Sequence, residues 1–313
     1  MKLTRIAATL IALSVGASGA ATADERYVIQ VDNSKKGVVK ALAKKMGGEL
    51  KLDGDGFIAA TFSGKDLAQV KGLLNNPHIQ LVEVDQRRSL MSFSDDVGNP
   101  MTQQITPYAV YQSNVNDIGF DNAAGMKVCI IDSGLDASNP DFLWGNISGD
   151  NDSGTGNWDE NGGPHGTHVA GTIGAADNGV GVVGMAPGVE MHIIKVFNAD
   201  GWGYSSDLAH AANLCSAAGA NIISMSLGGG GSNSTESNAF QSFTDAGGLV
   251  VAAAGNDGNS VRSYPAGYPS VMMVGANDAN NAIADFSQFP TCTTGRGKKQ
   301  KTDTSICVEI AAG

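Results

Sequence analysis

After residue 23 the sequence has no apolar run long enough to cross a bilayer, which argues against a membrane anchor in the part that follows. Charge is also sparse, at 16% of 313 residues against 42% hydrophobic. That balance excludes a disordered chain and suits one large core plus a smaller unit. Basic side chains are scarcest where the chain is longest. Residues 92–313 hold 7 of them against 22 acidic ones, a net of −15, whereas residues 24–91 hold 11 and 9, a net of +2. The long acidic part is a poor partner for nucleic acid. Its charge favours solubility and cation retention, and gives the mildly basic first unit an attractive partner. Cysteine is limited to Cys129, Cys215, Cys292 and Cys307, all in the second part. Four cysteines allow three complete pairings. A bridge from Cys292 to Cys307 is favoured because it would close a polar insert and limit fraying, and Cys129, inside an apolar strand pattern, reads as a buried thiol.

What is present begins with an export signal. Lys2 and Arg5 precede an apolar stretch at 6–15 and the small residues Ala21-Thr22-Ala23, the three parts of a secretory signal peptide over 1–23. The protein is therefore expected outside the cell, where disulfides persist. Residues 24–91 predict a small α+β unit of ferredoxin-like type. Its strands fall at 26–31, 57–62 and 79–84, and its helices at 37–46, ended by Gly47-Gly48, and 65–74, stopped by Asn75-Asn76-Pro77. The polar stretch 85–104, with Arg87-Arg88 and Gly98-Asn99-Pro100, reads as a linker that can be cut without disturbing either core, 92–103 being its maturation region. In 104–313, strands at 127–131, 191–196, 222–226, 249–253 and 271–274 alternate with helices at 166–175, 206–218 and 237–246. This predicts an α/β fold, a mostly parallel sheet sandwiched by helices. Catalytic groups in such a fold belong where strands end and loops begin.

Three motifs carry chemistry. In Val128-Cys-Ile-Ile-Asp132-Ser-Gly134 a buried strand delivers a carboxylate before a glycine turn; alone, such an Asp is more often a turn or capping residue. In Pro164-His165-Gly-Thr-His168-Val-Ala-Gly171 a histidine opens a helix, where a carboxylate can orient it for proton exchange near neutral pH. In Val250-Val-Ala-Ala-Ala-Gly255-Asn256-Asp-Gly258 a strand leads to an Asn whose amide can donate to a developing oxyanion; alone it reads as a turn residue.

Found in this order, the motifs resemble those of subtilisin-like serine peptidases, over 24–313. The resemblance implies a subtilisin-like fold with Asp132 as orienting carboxylate, His165 as general base and Asn256 as oxyanion-hole donor. His168 matches a non-catalytic position and is expected to pack and hydrogen-bond. Ser226, Leu227 and Gly228 resemble the segment whose backbone pairs with an extended substrate, and Gly201 and Trp202, in Asp200-Gly-Trp-Gly203, the opposite edge. Gly228, Ala253 to Gly255 and Ser263-Tyr264-Pro265 resemble the pocket for the residue before the scissile bond; their small size implies a sizeable apolar side chain there and broad specificity. Gln104, Asp141, Ala176, Asn178, Val180 and Val182 resemble a structural Ca2+ site of the family, with an ordinary glycine-rich loop as the alternative. Asp150, Asp152, Asp159 and Glu160 are a second cation candidate, set against a flexible acidic loop. The 24–91 unit resembles the family's inhibitory prosegment, a folding aid whose end lies along the substrate groove. Expected partners are protein or peptide substrates and this prosegment, with no nucleic acid and no membrane, in a monomer.

The family's nucleophile sits in a Gly-Thr-Ser-Met-Ala motif, downstream of a segment that Val308-Glu-Ile-Ala-Ala-Gly313 resembles. No such motif occurs here, and Ser260, Ser263, Ser270, Ser287 and Ser305 have the wrong neighbours. The expectation is a fragment of a longer reading frame, inactive as it stands, with the Ser beyond residue 313. The alternative is a non-catalytic peptide-binding protein. A metal-hydrolase site from His165, His168 and Asp132 is disfavoured, because no Glu follows the first His as in the usual zinc helix.

Overall fold

Five strands and two helices come first in the chain: β1 (Arg26–Val31), α1 (Lys36–Lys45), β2 (Glu49–Gly54), β3 (Phe57–Thr61), α2 (Leu67–Leu73), β4 (Ile79–Val84) and β5 (Arg87–Leu90). The structure is a computed structural model that describes residues 25–90, 99–100, 102–121, 125–152, 155–160, 162–197 and 201–313. The signal peptide and most of the 92–103 region fall outside it. The first four strands form an antiparallel sheet in the order β2-β3-β1-β4. One face is closed by α1 and α2 through Tyr27, Ile29, Ile58, Phe62, Val39 and Val70. The other face presents Val28, Leu52, Phe57 and Ala59 to Ala209 and Ala239 of two later helices. Burial on both faces explains why Phe57-Ile-Ala-Ala60 runs apolar without alternation. By contrast β2, mostly polar and exposed at alternate positions, carries little apolar signal, and the sequence reading missed it.

The larger unit follows as α3 (Tyr108–Gln112), β6 (Val128–Asp132), β7 (Ile147–Asn151), α4 (Pro164–Gly174), β8 (Met191–Lys195), β9 (Trp202–Tyr204), α5 (Ser205–Ala217), β10 (Ile222–Met225), β11 (Leu227–Gly228), α6 (Ser234–Asp245), β12 (Leu249–Ala253), β13 (Met272–Ala276), β14 (Thr293–Thr294), β15 (Lys301–Thr302) and β16 (Ile310–Ala312). Seven strands form one sheet in the order β16-β13-β12-β10-β6-β8-β7, and every pairing is parallel. Alternation sorts its side chains to two faces. Val128, Ile130, Met191 and Ile193 meet Val169 and Ala170 of α4, while Cys129, Ile131, Ile223, Met225 and Val250 meet Leu208, Ala212 and Phe240 of α5 and α6. Helices thus cover both faces, and the predicted strands and helices fall within one to three residues of those observed.

Two expectations need correction. Cys292 and Cys307 are bridged, but Cys129 is no lone thiol: it pairs with Cys215, Cα to Cα 5.6 Å, joining β6 to α5. A fully buried half-cystine and a buried thiol look alike in an apolar strand pattern. Nor does a linker begin at residue 85. Asp85 and Arg88 are buried, and β5 is a paired strand. Polar composition marks a loop only where the polar groups remain in water, and here each finds a partner across the chain.

Candidate active site

Strand register sets the floor of the site. Ile130 on β6 is level with Ser224 on β10, which is level with Val251 on β12. Two residues on, Asp132, Ser226 and Ala253 therefore share the C-terminal edge of the sheet. Asp132 has the parity of Val128 and Ile130, so it projects toward α4, whose second residue is His165. Helix and strand come close because Gly166 has no side chain: a Cβ there would strike the Gly134 carbonyl. The Gly166 N–H instead donates to Ser133 Oγ at 3.0 Å. His165 Nδ1 lies 2.8 Å from Asp132 Oδ1 and 3.0 Å from Oδ2. The carboxylate has no exposed surface, the imidazole keeps 9%, and the Ser133 N–H donates to Asp132 Oδ1 at 2.7 Å. A buried carboxylate on Nδ1 fixes that nitrogen as the N–H and leaves Nε2 as the basic one.

Asn256 is exposed, three residues past the end of β12. Gly255 before it adopts φ 120°, with Gln288 packed where a side chain would be. The Gln288 N–H donates to Gly255 O at 3.0 Å and its Nε2 to Val261 O at 2.7 Å, which holds the turn at this edge. Gly255 and Ser263 are buried, Ala253 is half-buried, and the Gly229 N–H donates to Tyr264 O at 2.9 Å, tying the pocket wall to the strand beside it. His168 is exposed, so the expected packing role of its side chain is not seen. Among the described residues no three His, Cys, Asp or Glu side chains converge as metal ligands.

The two anticipated groove edges meet around a strand of the first unit. β5 is the middle strand of a three-stranded antiparallel sheet, with β11 on one side and β9 on the other. Gly228 stands opposite Ser89 and Leu227 opposite Leu90, while Trp202, Gly203 and Tyr204 stand opposite Ser89, Arg88 and Arg87. The Arg87 guanidinium lies 4.6 Å over the Trp202 ring. Upstream, Glu83 accepts from the Ser234 and Thr235 N–H groups at the start of α6, at 3.0 and 2.9 Å. Asp85 accepts from Ser206 N–H and Ser205 Oγ at the start of α5, both at 2.8 Å. Arg26 bridges Asp85 and Asp207 at 2.9 and 2.5 Å. Burial, together with their mutual repulsion and against the pull of Arg26, raises Asp85 to about 6; burial likewise raises Asp207 to about 6.

Arg88, read in the sequence as part of a linker, is a fully buried member of this interface. Arg88 has no exposed surface and its Nε donates to Glu236 Oε1 at 2.9 Å, with Glu236 also fully buried. A signal for it existed: Glu236, Phe240 and Phe243 follow the helical i, i+4, i+7 spacing, which places the carboxylate on the apolar stripe of α6.

The residues of the anticipated cation loop also come together. Gln104 Nε2 donates to Ala176 O at 3.0 Å, and its Oε1 accepts from the Gly179 N–H at 3.0 Å. Asp141 Oδ2 accepts from the Val182 N–H at 2.7 Å, while its buried Oδ1 has no hydrogen-bond partner among the described residues. Burial raises the Asp141 carboxyl above the usual range. A buried carboxylate oxygen without a partner fits a hard cation. The second acidic set does not converge: Asp150 faces His192 Nε2 at 3.2 Å, and Glu160 accepts from Asn157 Nδ2 at 2.8 Å.

A profile of the Subtilase family matches residues 123–312. Subtilisin BL of Lederbergia lenta is 42% identical over 167 residues, 53% of this chain and 61% of that protein. Subtilisin J of Geobacillus stearothermophilus is 30% identical over 288 residues, 88% of this chain and 71% of that protein. The crystal structure of a psychrophilic subtilisin-like protease from the Antarctic psychrotroph Pseudoalteromonas sp. AS-11 superposes with TM-score 0.58 at 45% identity, covering 67% of this chain and 46% of that one.

Proposed function

The chain belongs to the subtilase family, and from that premise we propose that it is the precursor of a secreted, calcium-stabilised serine endopeptidase acting on extended polypeptides. The observation that carries this reading is the 2.8 Å contact of His165 Nδ1 with the wholly buried Asp132 at the C-terminal edge of the parallel sheet. In the proposed reaction His165 Nε2 takes the proton of a serine hydroxyl as the oxygen attacks the scissile carbonyl, and then returns it to the leaving amine. The Asn256 amide donates to the oxyanion. That serine is assigned to a Gly-Thr-Ser segment, which the 313 residues do not contain.

Residues 24–91 are assigned as an inhibitory prosegment, because β5 fills the place between β9 and β11 that an extended substrate would take. Removal after about residue 91 would open the groove. Ca2+ is assigned to the side-chain oxygens of Gln104, Asp141 and Asn178 and the carbonyls of Ala176, Val180 and Val182, where it would supply the partner that Asp141 Oδ1 lacks among the described residues. Gly228, Ala253 and Ser263, all small, are assigned to a pocket for an apolar side chain before the scissile bond. The coding sequence past codon 313 tests the reading: a Gly-Thr-Ser motif, with peptide hydrolysis lost in His165→Ala, supports the peptidase. An immediate stop codon with peptide binding retained supports a non-catalytic binder.

A further inference from the structure

The groove holds one feature that a general-purpose peptidase does not need. Arg88 enters it from β5, opposite Gly203, and its whole side chain disappears beneath α6. Its described hydrogen-bond partners are acceptors, one of them the Arg87 carbonyl of its own strand. Nε donates to Glu236 Oε1 at 2.9 Å and Nη2 to Glu236 Oε2; Nη1 donates to Gly229 O at 2.8 Å and Nη2 to Gly231 O at 3.2 Å. The Tyr268 hydroxyl beside it is committed. Tyr268 Oη accepts from the Asn233 N–H at 2.8 Å and donates to Glu236 Oε2. Asn233 in turn caps α6 by accepting from the Glu236 N–H at 3.1 Å. Helix start, tyrosine and carboxylate therefore form one rigid set, built from residues of the larger unit alone.

We propose that this is a specificity subsite for a guanidinium: the substrate residue that takes the place of Arg88 is an arginine, selected by Glu236 with the carbonyls of Gly229 and Gly231. The chemistry follows from donor counting. Arginine brings five N–H donors in a planar fork that matches a carboxylate and two carbonyls at once; lysine brings three on a point charge. An apolar side chain brings none and leaves Glu236 buried opposite no cation, the costly case for a charge that burial has already stripped of water. Burial pushes the Glu236 carboxyl upward and Arg88 opposes it. Discrimination here is sharper than a hydrophobic pocket achieves, because polar groups without partners reject the wrong substrate. The broad, apolar specificity expected from the sequence would hold next to the scissile bond and fail three residues before it.

The inference rests on the reading of β5 as the substrate path. It is tested with the full-length, self-processed protein and the p-nitroanilides of Xaa-Ser-Leu-Met, which copy residues 88–91 with Xaa as Arg, Lys or Leu. Arg is expected to exceed Leu at least tenfold in kcat/KM, chiefly through KM, with Lys between them; Glu236→Leu should reverse the order of Arg and Leu, and Glu236→Gln should narrow the gap. Leu equal to Arg in the parent protein overturns the subsite. A protein that cleaves none of the peptides removes the peptidase reading instead, and the subsite is then read by binding: the Arg peptide alone should displace β5 and speed amide exchange at residues 87–90. Equal displacement by Arg and Leu peptides, or none, overturns it.

Discussion

At Asp132 one carboxylate sets both the tautomer and the tilt of His165, so Asp132→Asn in the full-length protein should lower kcat on the order of 10^4-fold with little change in KM. Asn256→Ala should lower kcat roughly 10^2- to 10^3-fold. Peptide kinetics check both, and a KM effect equal to the kcat effect would assign these residues to binding instead. These positions were legible in the sequence because each stands in a local motif: strand then turn for Asp132, helix start for His165, strand then glycine for Asn256. Arg88 and Glu236 are 148 residues apart and have no shared local signature. Only the fold brings them together. The exposed His168 shows the opposite case, a motif residue to which the family resemblance gave a packing role that its exposure does not bear out.

Elements were legible where apolar periodicity dominates, as in β6, β8, β12 and α5, and obscure where it does not. The edge strand β7, Ile147-Ser-Gly-Asp-Asn151, is largely polar, and β5 gains its place from partners outside its own segment. The join of β4 and β5 to the starts of α5 and α6 places Glu83 and Asp85 at the positive ends of helix dipoles. It also buries Asp85 and Asp207 on either side of the Arg26 guanidinium. Burial raises both carboxyls to about 6 in the docked state, so near that pH it holds more protons than a state in which undocking has returned them to water. Docking therefore gains as pH falls through about 6 and loses that gain as pH rises past it. His210 on α5, lowered by burial, works in the opposite sense as it protonates. The carboxyl contribution can be isolated by comparing the urea midpoint for release of the first unit at about pH 5 and pH 8 in the parent and in Asp207→Asn. The variant should show the smaller acid gain; an identical gain would remove the pair as its source.

Across the whole molecule, two disulfides constrain the chain, and the proposed Ca2+ would add a third constraint. The Cys129–Cys215 bridge closes 86 residues and ties the Asp132 strand to α5, whereas Cys292–Cys307 closes 15. Loop-closure entropy ranks them at about 4.6 and about 3 kcal/mol. Cys215→Ser paired with Cys129→Ala should therefore lower the urea-derived stability more than loss of the second bridge does; the reverse order would show that strain or residual structure outweighs entropy. Chelation is the third lever: EDTA should lower Tm in the parent, and Asp141→Asn should remove most of that sensitivity. The charge asymmetry seen in the sequence, +2 against −15, predicted attraction between the two units. Its physical form, two arginines seated on buried carboxylates, required the fold. The account depends on His165 acting as the base for a serine in a sheet-edge site that Asp132 organises. Labelling of the full-length protein with a fluorophosphonate, followed by peptide mapping, tests this most directly. One serine in a Gly-Thr-Ser segment should be modified, with the rate collapsing in His165→Ala. Modification at the same rate without His165, or no modified serine at all, would contradict it.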